Sequence, residues 1–149
     1  MLRNAEAIKK INPNAITWVY RNGIKALPWF TDVREKLTDK AYWGWFMAKK
    51  GCNPSPGEYV CGDNATGNLY HDFEQTPHGD CGVGVECGEY VFDHRNASIR
   101  QWLIDTVFLG NETGGGNPAV QGFYVDDGWS PSGPSEMDKD AVRCALFSF

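Results

Sequence analysis

The chain is 149 residues long with a formal net charge of −5, and 42% of it is hydrophobic and 13% aromatic. That is enough apolar material for a packed core of ordinary domain size, and it argues against global disorder. The acidic balance, without any Lys/Arg stripe, argues against nucleic acid as the main partner, and the apolar runs fall well short of the roughly 20 residues that span a bilayer.

In chain order, Ala5 to Ile11 reads as an amphipathic helix closed by Asn12-Pro13-Asn14. Ile16 to Tyr20 is a β-rich run ending on Arg21 and Asn22. Phe30, Val33, Leu37, Ala41 and Trp45 then recur at helical spacing, with a break expected near Thr38-Asp39. Residues 50–88 form a long Cys-containing insertion rich in loop residues, with one strand-like piece, "NLYHDF". "EYVFDHRN" is the next apolar run, and Asn96 is placed to cap a helix whose Ile99, Leu103 and Val107 line one face. Gly114 to Pro118 is a turn-rich link into the strand "VQGFYVDD", and a further helix is expected after Ser135.

Cys52, Cys61, Cys81 and Cys87 lie in the insertion and Cys144 stands apart. Local disulfides Cys52–Cys61 and Cys81–Cys87 fit the spacing, whereas a zinc site with His71 and His78 fits it poorly. Sequons at Asn64, Asn96 and Asn111 agree with a secretory chain whose signal lies outside this sequence.

The strand–helix–strand order, with long crossovers and continuously apolar strands, predicts an α/β fold with parallel strands. A complete eight-fold βα barrel takes about 250 residues. The expectation is therefore a partial (β/α)8 TIM barrel, residues 1–149 being a fragment of one such domain, with an open α/β sheet as the alternative. In such folds polar groups gather where strands end. Tyr20 and Arg21 follow the first strand, Asp93, His94 and Arg95 the second, and Asp126, Asp127 and Trp129 the third; His71 and Asp72 make a fourth group. Side chains alternate along a strand, so only one of Asp126 and Asp127 faces a shared cleft, and the period does not say which. Each of these residues also has a purely structural reading. A strand-end Asp is commonly a turn former, Asp93 can pair with His94 or Arg95, and aromatic residues commonly pack.

Among the motifs, no G-x-S-x-G, P-loop or G-x-G-x-x-G is present, and Gly114-Gly115-Gly116 precedes a strand, the wrong context for phosphate. Two carboxyls suffice for glycoside hydrolysis, and aromatic faces with Arg or His groups hold sugars. No cofactor or metal is expected. "YHDFEQTP", "GEYVFDHRN" and "GFYVDDGW" resemble a group of secreted eukaryotic glycosyl hydrolase-like proteins with a TIM barrel. The resemblance implies a sugar-active barrel in which Asp93 and Asp126 or Asp127 are the candidate catalytic carboxylates. Tyr20, Arg21, His71, Asp72, His94, Arg95 and Trp129 would bind substrate. The alternatives are a disulfide-stapled carbohydrate- or protein-binding module without turnover, and an inactive truncated product.

Overall fold

A computed structural model describes residues 2–49, 69–72, 88–112 and 114–126. It divides into two units, Met1–Gly23 with Ser98–Asp127, and Ile24–Ala97 with Gly128–Phe149.

The first unit is built on a two-stranded parallel sheet, β1 (Trp18–Asn22) against β5 (Gly122–Asp126). Its register sets Trp18 opposite Gly122, Tyr20 opposite Tyr124 and Asn22 opposite Asp126. One face of the pair is covered. Val19 packs with Ala5 of helix α1 (Leu2–Ile11) and with Ala119 and Val120, and Leu2 and Phe123 close the cluster. Fully burying one such valine stabilises the fold by about 1.5–3 kcal/mol. The entry to each strand is tied to the other, since the Gln121 amide donates to the Thr17 carbonyl at 2.9 Å and the Thr17 hydroxyl donates to the Ala119 carbonyl. The crossover between the strands contains α3 (Ala97–Trp102), which continues as a π-helix, Leu103–Phe108. Ile99, Leu103 and Val107 are all buried, as their spacing predicts, and Phe108 meets Phe123 edge-on at 5.4 Å.

The second unit holds a three-stranded antiparallel sheet with β4 (Glu89–Val91) between β2 (Lys25–Ala26) and β3 (His71–Asp72). Ile24, Met47, Tyr70 and Val91 form its apolar cluster. Glu89 in β4 pairs with Lys25 in β2 through a 2.7 Å ion pair. Helix α2 (Thr31–Thr38) buries Val33 and Leu37, then breaks at Asp39, whose backbone is extended. A 3₁₀ helix, Lys40–Trp45, follows, with the Asp39 carboxylate accepting from the Ala41 amide. The break falls where the sequence predicts it. It also changes the phase: three residues per turn bury Trp43, leaving Ala41 exposed and Trp45 half-buried.

The expected partial TIM barrel is not formed. Among the described residues there is one parallel strand pair and one small antiparallel sheet, with no succession of βα units around a barrel. The molecule is a small mixed α/β protein. The misassignment lies in Tyr90–Phe92, expected to run parallel with the other strands. Glu89, Tyr90 and Val91 are all buried because β4 is the central strand of its own sheet. A short antiparallel strand covered on both faces gives the same continuous apolar run as a parallel one, so periodicity cannot separate them. The cysteines, the sequon at Asn64 and the helix expected after Ser135 lie outside the described residues.

Candidate functional site

The strongest concentration of recognition chemistry lies on the face of the β1–β5 pair opposite Val19 and Phe123, exposed at Trp18 and Tyr124 and buried at Asn22. Side chains alternate across a strand, so burying Val19 and Phe123 puts Trp18, Tyr20 and Asn22 of β1 on the other face, beside Gly122, Tyr124 and Asp126 of β5. Two interleaved patterns in the sequence, "WVYRN" and "GFYVD", encode this face.

Trp18 and Tyr124 are 65% and 59% exposed, values that make their rings available surface rather than core. The Trp18 indole lies flat across Gly122. A Cβ there would meet its Cε2, Cδ2 and Cζ2 atoms at 3.2, 3.3 and 3.6 Å, so the missing side chain at 122 is what lets the ring settle on the sheet. Tyr20 and Tyr124 stack with centroids 6.0 Å apart and planes 27° from parallel. At the strand ends the Tyr20 hydroxyl donates to Asp126 Oδ2 and Asn22 Nδ2 donates to the Tyr20 oxygen, each at 3.4 Å. These are long contacts for their type. Trp18 to Asn22 spans about 13 Å along the strand, four steps of about 3.3 Å. The result is a line of aromatic rings ending on a buried carboxamide, Asn22, and a half-buried carboxylate, Asp126.

The structure answers the question raised by the acidic doublet for one member only. Asp126 is half-buried and shares the face of Tyr20 and Asn22. Asp127 and Trp129 lie outside the described residues. Arg21 sits on the opposite face of β1 from Tyr20 and is buried.

The other sequence candidates are in the second unit. Asp93 is engaged locally. Its Oδ1 accepts from the Arg95 backbone amide at 3.0 Å and from Arg95 Nε at 2.9 Å, and its Oδ2 accepts from the terminal guanidinium nitrogen Nη2 at 2.7 Å. It is a turn-forming carboxylate clasped by its neighbour's guanidinium. His94 is 1% exposed, with its ring edge-on to Phe92 at 6.5 Å, and so belongs to the core of its unit. His71 and Asp72 pair as strand residues with Tyr90 and Glu89. Among the described residues no three His, Cys, Asp or Glu side chains gather as a metal site, and no helix is long and apolar enough to cross a membrane.

In the sequence Trp18 and Tyr124 stand only as members of apolar strand runs, without a mark of their exposure. The usable signal was the shared alternation of the two strand sequences, aromatic at the second-to-last outward position and polar at the last. Comparison with protein-family models, curated proteins and solved structures finds no match, and none of them identifies a glycosyl hydrolase-like family.

Proposed function

We propose that the face of β1 and β5 that carries Trp18 and Tyr124 binds carbohydrate, with Trp18, Tyr20 and Tyr124 as stacking surfaces and Asp126 as hydroxyl partner. The observation that carries the reading is the alignment of exposed rings with a polar strand end on a single face. Pyranose rings present apolar C–H faces and polar edges, which suits an aromatic surface bordered by acceptors and donors. A carboxylate can accept from two vicinal hydroxyls, while the buried Asn22 amide donates to the Tyr20 hydroxyl oxygen and so steadies that ring. The span of about 13 Å along the strand suits two or three sugar rings in a linear chain. An anionic end favours neutral sugars over uronic or sialic acids.

Because the exposed rings of Trp18 and Tyr124 lie on one face of the sheet, a ligand would bury one side only. Affinity on the order of millimolar follows from so few contacts, about 4 kcal/mol of binding free energy. Titration of neutral oligosaccharides into the protein tests the reading. Trp18→Ala and Tyr124→Ala should each weaken binding about tenfold, equivalent to about 1.4 kcal/mol. Asp126→Asn should weaken it while narrowing the preference against acidic sugars. Unchanged binding in both aromatic variants would refute the proposal. Release of new reducing ends by the protein, lost in Asp126→Asn, would add hydrolysis to binding and bring Asp126 into the role of a catalytic carboxylate.

A further inference from the structure

Two sequons, Asn96-Ala97-Ser98 and Asn111-Glu112-Thr113, have their asparagine among the described residues; they are equivalent as sequence, but the two asparagines differ in structure. Asn96 is half-buried at the start of α3, and its Nδ2 donates to the Gly44 carbonyl at 2.9 Å. That nitrogen is the atom a glycan would occupy. Attaching a sugar there removes one of its two donor hydrogens and forces a bulky polar group against Gly44, on an element whose next inward residue, Ile99, is 0% exposed.

Asn111 differs in each respect. It is exposed, in the turn that follows the π-helix, and its flanking residue Glu112 is exposed too. Its Oδ1 lies over Gly116, where a Cβ would stand 2.7 Å away. The oxygen end of the amide therefore faces the loop.

We infer that Asn111 is an N-glycosylation site of the folded protein and that Asn96 is not. The reaction joins Asn111 Nδ2 to the anomeric carbon of an oligosaccharide carried on a polyprenyl diphosphate. The C–N bond forms as the C–O bond to the diphosphate breaks. The amide nitrogen loses one proton, and the diphosphate leaves with the bonding pair. The glycan then extends from an exposed turn and, among the described residues, displaces no side-chain hydrogen bond of Asn111.

The test is to express the full chain behind a cleavable leader in a eukaryotic host and to map glycopeptides before and after enzymatic removal of N-glycans. The folded, secreted protein should carry glycan at Asn111, with Asn96 unmodified. Asn111→Gln should remove that glycan and leave the melting temperature of the deglycosylated protein unchanged. If secretion is poor, translation of the same chain with endoplasmic-reticulum microsomes gives the same readout on the membrane-protected product. An unmodified Asn111 in either preparation, or glycan at Asn96 in the folded fraction, overturns the inference.

Discussion

Asp93 illustrates how one carboxylate can be a strand-end acid by position and a fastener by geometry. It takes hydrogen bonds from both the backbone and the side chain of Arg95, two residues on. Its side chain is 13% exposed against 42% for Arg95, so the pair is sheltered on the acid side and wet on the base side. The exposed half limits the ionic contribution to about 1 kcal/mol or less, and salt screens it. The backbone bond is worth a similar amount, about 1 kcal/mol, and does not depend on charge. Asp93→Asn keeps an acceptor for the Arg95 amide and should cost little in chemical denaturation. Asp93→Ala removes both bonds and should cost about 1–2 kcal/mol, with part of the difference disappearing in high salt. Equal stability of the Ala variant and the parent would mean that the turn holds without this side chain. Sequence made the residue visible and its pairing with Arg95 foreseeable. It could not choose between turn former and catalytic acid, because that depends on where the guanidinium folds.

At the scale of elements, the end of the α3 crossover explains the run Gly114-Gly115-Gly116. The π-helix closes with the Leu109 amide donating to the Ile104 carbonyl, and the last carbonyls of a helix lack partners within it. The glycine segment folds back over them, and the Gly115 amide donates to the Phe108 carbonyl. The approach is too close for any side chain at 114, where a Cβ would stand 2.2 Å from the Val107 oxygen and 2.6 Å from the Phe108 oxygen. Both are backbone atoms, so neither can rotate away. Gly114→Ala should therefore destabilise the protein by about 1–3 kcal/mol, the range for overpacking, measured as a lower denaturant midpoint. A neutral result would show that the loop can lift from the helix end at no cost. The buried stripe Ile99, Leu103 and Val107 was legible from spacing alone, because a helix buries one side whatever it packs against. The closing loop was legible only as a turn. The reason for three consecutive glycines is a close approach between segments, and local pattern carries no information about that.

For the whole molecule, local runs revealed most strands, whereas the pairing of those strands was hidden. β4 and β5 are similar apolar runs, β5 ending on Asp126 and β4 followed two residues on by Asp93, yet β5 lies parallel to β1 and β4 lies antiparallel in another sheet. Partner choice is a non-local property, settled here by contacts such as Lys25 with Glu89, and no periodicity reports it. The same topology leaves a consequence for solution behaviour. Parallel strands are ordinarily covered on both faces, but among the described residues β1 and β5 pair only with each other. Ile16, Trp18, Tyr124 and Val125 are all more than half exposed. Clustered exposed apolar side chains on a small sheet are templates for association between chains. The protein should therefore self-associate as its concentration rises, a change visible in sedimentation velocity. Val125 separates this property from ligand binding, since alternation sets it on the face away from Tyr124 and the proposed sugar surface. Val125→Lys should place a charge beside the edge and suppress association while leaving oligosaccharide binding intact, whereas Trp18→Ala should reduce both. A protein that stays monomeric at high concentration would show that these apolar side chains are shielded. Loss of sugar binding in Val125→Lys would show that the two faces are not independent, and the assignment of the site to one side of the sheet would fall with it.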